Sequence, residues 1–359
     1  MSMSGPPNGA QARQPLICIW EITRMCNLRC IHCENRCGER SERELPIAAM
    51  GEVARGLARL GCRQVDLTGG EPLLRSDWWE IAEMLGQSGI KVALISNGLL
   101  LDSHAVARAR AAGVAVIAVS VDGLQATHDG MRLRPGPGPS PWSQAMGAIE
   151  RVLPLFETVV ITQVNRRSLA ELPALREKLA ALGVHRWQLQ LTVPVGRVQE
   201  IAEPFILAPS DLEELLGFIT RARREGGLPK IDVSDSIGYY TEHELGLRGS
   251  GDKTLPWTGC QAGLRLVAIT YDGRVRGCSA LPPEFDAGDL HDESIERIWG
   301  DTDRFAYSTR FDAGNLCGGC AGCRMGPLCR AGCTTMAFWT SGTIYNNPYC
   351  LLRVRQCKA

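Results

Sequence analysis

Charge of either sign is missing in excess from this chain: 39 Lys and Arg balance 39 Asp and Glu over 359 residues. Aromatic residues are sparse, at 6%, and no run of Lys or Arg is interleaved with them. Without a basic stripe or stacking platform, nothing advertises a nucleic-acid partner. Long hydrophobic runs are also absent. The longest apolar stretches, such as Val114 to Val121, are strand-length and far short of the roughly 20 residues that span a bilayer, so no membrane association is expected. Met1 to Pro15 is polar, rich in Gly, Pro, Ser and Gln, and has no apolar core of signal-peptide length. A mobile tail over 1–15 and a soluble, cytoplasmic protein are the expectations.

Cysteine, by contrast, is abundant, with 15 in the chain. Cytosolic thiols are kept reduced, so this number points to metal or redox chemistry rather than a disulfide framework. Cys18 and Cys62 are isolated among apolar neighbours and read as packed core thiols. Cys26, Cys30 and Cys33 form a C-x3-C-x2-C triplet directly after the strand-like stretch Leu16 to Ile22. A closed structural zinc site wants four protein ligands, whereas three closely spaced thiolates suit an iron–sulfur cube with one iron left open. Cys37 leaves a four-cysteine zinc site as the competing reading at this point.

From Leu16 to about Val193 short β-rich runs alternate with helical segments. Strands are predicted at Leu16–Thr23, Arg63–Thr68, Lys91–Ser96, Val114–Val121, Thr158–Val164 and Arg186–Thr192. Helices are predicted at Pro46–Leu60, Asp77–Gln87, Asp102–Ala112, Ser143–Leu153 and Leu169–Leu182. This alternation argues for βα units on a parallel sheet, and near-continuous apolar strands such as residues 114–119 fit burial on both faces. Six units are too few for a closed eight-stranded barrel. The fold class expected is therefore α/β: a partial (β/α)6 TIM-like barrel over 16–200, reactive groups on the loops after the strand C-termini, then a helical linker over 201–255. Within that linker Ser210 and Glu213 suggest a capping box for a helix over 210–224. A small cysteine-rich domain over 256–359 completes the chain.

The second strand ends in Thr68-Gly69-Gly70-Glu71-Pro72, the third in Ser96-Asn97-Gly98, and the fourth in Ser120-Val121-Asp122-Gly123, followed by His128, Asp129 and Arg132. Two glycines allow close backbone approach to a ligand; taken singly, each motif is also a plain turn. Gln188 and Gln190 alternate on the sixth strand, where a buried amide needs a partner, either a ligand or a network inside the barrel. Triplet and Gly-Gly-Glu-Pro together resemble the signature of the radical S-adenosylmethionine (SAM) superfamily, with His32 in its usual aromatic position. The resemblance implies a [4Fe-4S] cluster on Cys26, Cys30 and Cys33 whose open iron is chelated by SAM. It also implies a SAM-contacting set of Gly69, Gly70, Glu71, Ser96, Asn97, Ser120, Asp122, Arg132 and Gln190, with Glu71 toward the methionine ammonium.

The C-terminal cysteines read Cys260, then Gly273-x4-Cys278, then Cys320-x2-Cys323-x5-Cys329-x3-Cys333, then Cys350. This spacing resembles the SPASM domain, which holds two auxiliary [4Fe-4S] clusters. The resemblance implies Cys260, Cys278 and Cys333 for the first and Cys320, Cys323, Cys329 and Cys350 for the second, three clusters in all. Zinc-ribbon sites would use the same residue type. Two departures stand out. The stretch 254–259 lacks the cysteine that closes the first auxiliary cluster in fully ligated relatives, which leaves an open iron or recruits Cys317. Ser279 stands where sulfatase-maturing relatives carry an acidic residue, which argues against that activity.

What the resemblance implies for function is reductive cleavage of SAM to a 5′-deoxyadenosyl radical, hydrogen abstraction from an unactivated carbon, and electron transfer to the auxiliary clusters. The leading expectation is a maturase that installs a carbon–carbon or thioether crosslink in a ribosomally synthesised precursor peptide. Peptide capture would come from a separate peptide-recognition protein or from the 198–255 segment, and the first electron from an external donor such as flavodoxin or ferredoxin. The rivals are a radical SAM dehydrogenase or decarboxylase acting on a small molecule or tetrapyrrole, and a non-catalytic zinc or iron–sulfur scaffold.

Overall fold

A computed structural model describes residues 13–201, 204–234, 236–241, 244, 247 and 257–356. Its first half alternates strand and helix: β1 (Ile17–Thr23), α1 (Ile47–Arg59), β2 (Gln64–Gly69), α2 (Trp78–Gln87), β3 (Lys91–Ser96), α3 (Ser103–Ala111) and β4 (Val116–Ser120). It continues with α4 (Gln125–Met131), α5 (Pro141–Val152), β5 (Glu157–Val164), α6 (Leu172–Ala181), β6 (Arg186–Leu191), α7 (Leu212–Glu225) and β7 (Lys230–Val233). The C-terminal region contributes β8 (Leu266–Ile269), β9 (Arg274–Arg276) and β10 (Gly288–Asp289). All ten strands form one open sheet in the order β10-β9-β8-β1-β2-β3-β4-β5-β6-β7, parallel from β8 to β7 and antiparallel at β8-β9-β10.

Strand periodicity sorts the side chains. Cys18, Trp20, Ile22, Val65, Leu67, Val92, Leu94, Ile117 and Val119 point outward and share one core with helix residues such as Met50, Val53, Leu57, Ile81 and Leu85. Each leucine of this set is at most 1% exposed or fully buried, worth about 1.5–3 kcal/mol relative to exposure. The inward positions Ala93, Val116, Ala118 and Val159, with Ile95 and Ile161, form a separate small cluster that floors the barrel lumen. Glu21, Ser120, Gln163, Gln188 and Gln190 occupy the same inward faces. Helix ends follow local chemistry: the Asp102 side chain accepts from Ala105 N at 2.8 Å and caps α3, Ser140 caps α5 with Pro141 beside it, and Gly61, at φ +79°, ends α1.

The expected six strands are present within two residues at each end. Several expectations change. Within the expected 1–15 tail, the Arg13 guanidinium donates to Gly263 O at 2.6 Å and Gln14 Nε2 to Gly61 O at 2.8 Å, and 1–12 lie outside the described residues. Ser210 makes no capping box: Pro209–Asp211 is a 3-10 turn, Asp211 accepts from Ala208 N at 2.7 Å, and Glu213 pairs with Arg355 instead. Part of the 201–255 linker lies outside the described residues, but it contributes α7 and β7, and β7 extends the sheet beyond β6. The C-terminal region also adds to the barrel sheet, since β8 pairs in parallel with β1 through Ile17↔Leu266 to Trp20↔Ile269. Among the described residues no helix is long and apolar enough to cross a membrane.

Candidate functional site

The triplet lies on the loop that leaves β1, and that loop is clamped from three sides. At its base Cys26 N donates to Gly38 O and Gly38 N to Arg24 O, each at 2.9 Å. Along its length Arg29 N donates to the carbonyl of Leu133, just past α4, and Ile31 N to that of Met131, the last residue of α4. From the far side Arg197 N donates to Cys33 O and its guanidinium to Cys30 O, both at 3.1 Å, and to Cys37 O. Gly196, at φ +69°, makes that clamp possible: a Cβ there would stand 2.3 Å from the carbonyls of Cys33 and Glu34. Burial pushes the Cys26 thiol up to about 11 and Cys30 up to about 12. Cys33 is pulled down to about 5, chiefly by hydrogen bonding from Cys37, with Arg197 assisting. Cys37 is thus a buried donor to Cys33, its N–H 3.3 Å from the Sγ.

The glycine pair Gly69-Gly70 at the end of β2 is crowded by the protein's own backbone. A Cβ on Gly69, at φ +137°, would lie 2.3 Å from Thr23 O, and one on Gly70 would lie 2.0 Å from Met25 O. What approaches so closely is the protein's own backbone at the root of the triplet loop, tied there by Gly70 N to Thr23 O and Glu71 N to Met25 O. Glu71 is 0% exposed. Its carboxylate accepts from Ser96 Oγ (2.9 Å), Asn97 N (2.8 Å) and Leu73 N (3.2 Å), which leaves about one of its roughly four lone-pair sites. Burial raises it to about 7 against these bonds. Asn97 in turn donates to Asn27 Oδ1 at 2.7 Å, joining β3 to the triplet loop.

Asp122 is wholly buried and engaged within the protein. One oxygen stands 3.0 Å from His32 Nε2 and 2.6 Å from Arg132 Nε, and the other accepts from Gln163 N at 3.0 Å. Burial opposes its charge, yet Arg132 and His32 outweigh burial and hold the carboxyl well below the usual range. The structure therefore gathers Asp122, Arg132 and His32 into one network beside the triplet. Ser120 and Gln190 lie at inward strand positions, Gln190 in register with Gln163. Several buried polar atoms nearby lack a partner: Glu21 Oε2, His32 Nδ1, Gln163 Oε1 and Thr192 Oγ1. Orphans of this kind at strand C-termini fit a polar ligand in the lumen.

Sequence reasoning passed over Glu21 and Glu34. Glu21 is 4% exposed, takes a bond from Asn35, and is raised by burial to about 8. Glu34 is raised by burial to about 7, with the charge of Cys33 adding to it, and it also acts on Glu21 and on Cys278. It is therefore within electrostatic reach of both the triplet and Cys278.

Those cysteines form two groups. Cys320, Cys323, Cys329 and Cys350 influence one another electrostatically, and exposed Cys317 stands beside Cys320. Cys260 and Cys278 form the other group; Thr335 Oγ1, 3.6 Å from Cys278 Sγ, brings in the start of the helix Thr334–Ser341, whose N-cap is Cys333. A helix N-terminus favours the negative charge of thiolates. Among the described residues no three Cys, His, Asp or Glu converge on a point fit for a single metal ion.

A three-thiol loop at the C-terminal mouth of an open parallel barrel, with grouped cysteines beyond the sheet edge, defines an iron–sulfur enzyme built on a partial barrel. Residues 20–179 match the family described as the radical SAM superfamily, and residues 260–324 match the SPASM iron–sulfur cluster-binding domain. The chain belongs to the radical SAM superfamily and carries a SPASM domain, so it binds SAM and iron–sulfur clusters. It is 29% identical over 357 residues to an AdoMet-dependent heme synthase of Methanosarcina barkeri, covering 96% of this chain and 98% of that protein. It is 27% identical over 335 residues to the mycofactocin maturase MftC of Mycolicibacterium smegmatis, covering 91% of this chain and 80% of that one. Among solved structures, Streptococcus suis SuiB bound to S-adenosylmethionine superposes with a TM-score of 0.73 at 15% identity, over 93% of this chain and 76% of that one, a likeness of fold.

Proposed function

We propose that this chain modifies a ribosomally synthesised peptide, installing a carbon–carbon or thioether crosslink. Bound SAM and the reduced first cluster supply a 5′-deoxyadenosyl radical, to which the substrate carbon loses a hydrogen atom. The surplus electron left by bond formation passes to two auxiliary clusters, on Cys260, Cys278 and Cys333 and on Cys320, Cys323, Cys329 and Cys350. An external flavodoxin- or ferredoxin-type donor supplies the first electron, and a separate protein delivers the peptide. Within the barrel the crowded Gly69 and Gly70 anchor the triplet loop, Glu71 offers its remaining lone pair to the methionine ammonium, and Ser96 and Asn97 hold Glu71. Asp122 orients Arg132 beside the triplet, and Ser120 and Gln190 face the ligand.

The observation that carries the peptide reading is the lumen lining between Cys33 and Cys278. Burial raises the carboxyls of Glu21 to about 8 and of Glu34 to about 7, Arg276 acts on Glu21, and Glu21 Oε2 and Gln163 Oε1 have no hydrogen-bond partner. A polypeptide brings both N–H donors and C=O acceptors to such orphaned polar atoms. The likeness to the mycofactocin maturase and to SuiB, which has also been solved bound to its precursor peptide SuiA, supports the same reading. A second reading, oxidation or decarboxylation of a tetrapyrrole, is favoured by the full-length likeness to the heme synthase.

Anaerobic reduction with SAM is expected to release 5′-deoxyadenosine, and the peptide encoded beside this chain is expected to lose two hydrogens by mass. Turnover of a carboxylated tetrapyrrole with that peptide left unchanged would replace the first reading by the second. No 5′-deoxyadenosine from protein holding about 12 irons, as three cubes require, would overturn both.

A further inference from the structure

The first auxiliary group has three thiols and no cysteine in the preceding stretch 254–259, and the structure offers another candidate for its fourth position. Tyr307 follows the 3-10 turn Thr302–Phe305, and its ring is held edge-on by Phe285, with centroids 5.1 Å apart. Its hydroxyl is buried and has no hydrogen-bond partner. That hydroxyl is pressed against both cysteine-bearing segments. A Cβ on Gly277, the residue before Cys278, would stand 1.9 Å from it, and one on Gly263, three residues past Cys260, would stand 3.2 Å away. Cys260 and Cys278 are close enough for their charges to act on the phenol. A buried hydroxyl without a partner is unfavourable, so its position calls for a ligand.

Burial, with the charges of Cys260 and Cys278, pushes the phenol up, and two guanidinium groups act in the opposite direction. The Arg330 guanidinium, anchored by Ser308 O at 2.6 Å and Ser308 Oγ at 3.1 Å, and the Arg13 guanidinium, anchored by Gly263 O at 2.6 Å, both act on Tyr307. Each retains a buried nitrogen with no partner, Nε in Arg330 and Nη2 in Arg13. Cys317, the alternative fourth ligand, is exposed and sits beside Cys320.

We propose that the Tyr307 phenol oxygen is the fourth protein ligand of the cluster held by Cys260, Cys278 and Cys333. Ligation breaks the phenol O–H bond and forms an O–Fe bond, the proton leaves to water, and no electron moves. Two guanidinium groups offset the phenolate charge. The cluster is thereby closed by protein, which suits an electron acceptor and denies the substrate a place on its iron. This inference rests on the reading that those three cysteines hold a cluster.

The test uses the full chain with Cys26, Cys30 and Cys33 replaced by Ala, so that only auxiliary clusters assemble on anaerobic reconstitution. Cys260→Ala in that background is expected to lower bound iron from about eight to about four per chain, one cube fewer; unchanged iron would sink the cluster reading itself. With the cluster present, resonance Raman spectra are expected to show tyrosinate ring modes that Tyr307→Phe abolishes. Carbon-13 cyanide is expected to give a hyperfine signal on the reduced cluster only in Tyr307→Phe, and Tyr307→Cys is expected to bind no cyanide and show no ring modes. Full iron content without tyrosinate modes, or cyanide binding with Tyr307 intact, would overturn the ligand assignment while leaving the cluster in place.

Discussion

Glycine 70 and glutamate 21 show how single residues set the terms for this site. Gly70→Ala puts a Cβ 2.0 Å from Met25 O, a backbone atom that cannot step aside without moving the triplet loop. The expected cost is at least about 2–3 kcal/mol of stability, with loss of about four irons per chain as the first cube fails to assemble; denaturant unfolding and iron analysis check both. Glu21 makes a pH-dependent prediction. Its folded pKa is raised from 4.5 to about 8, so the folded state keeps a proton that the unfolded chain releases, and the stability Glu21 permits below pH 4.5 is lost as pH rises through 8. Glu21→Gln removes that dependence. Relative to the parent it is expected to gain about 4 kcal/mol more near pH 9 than near pH 5, read from apo-protein unfolding at the two pH values. An equal gain at both would show that Glu21 does not keep its proton in the folded protein.

At the scale of elements, the loop following β6 and the loop following β1 act as one unit, because Gly196 and Arg197 reach across the barrel mouth to Cys30, Cys33 and Cys37. Gly196→Ala is expected to weaken SAM binding and first-cluster assembly while leaving auxiliary iron in place: iron should fall in the otherwise unaltered chain and stay unchanged in the triplet-free background. Helix α2 offers the contrasting glycine. Gly86 is exposed and has no atom within 4 Å of a built Cβ, so Gly86→Ala is expected to stabilise by about 0.5–1 kcal/mol with iron content unchanged. The six barrel strands were legible because strands buried on two faces are near-continuous β-branched runs, as in residues 114–119. Strand β7, Lys-Ile-Asp-Val, has only two apolar residues and no such signal; its place is set by pairing with β6 through Arg186↔Lys230 to Leu189↔Val233. Helix α4 was hidden for a similar reason, since Gln125 to Met131 contains one Gly and three polar or charged residues in succession around His128.

The whole molecule is held as one sheet rather than as two modules in series. Because β8 covers the edge of β1, a chain ending at residue 255 would leave Ile17 to Trp20 with unpaired backbone groups, the exposed edge that templates association. Such a truncation is expected to elute as aggregate in size-exclusion chromatography; a stable monomer that assembles the first cluster would refute the shared-sheet account. The same junction carries the functional geometry. Glu21 on β1 feels Arg276 on β9, and Glu34 beside the triplet feels Cys278, so the space between the two cluster regions exists only when both halves of the chain are folded together.

Local spacing was enough to determine the triplet, the Gly-Gly-Glu-Pro turn, the seven C-terminal cysteines and the six barrel strands, since thiolate loops and buried strands leave short-range patterns in composition and period. What those residues touch was decided by the fold. Gly69 and Gly70 admit the root of the triplet loop, Asp122 is occupied by His32 and Arg132, Glu21 comes within electrostatic reach of Glu34, and Tyr307 within that of Cys260 and Cys278. Each of these contacts joins segments that lie on different elements, many of them distant in sequence. A pairing of that kind leaves no periodic trace, because it is selected by how the sheet twists and which strand covers which edge rather than by neighbours along the chain.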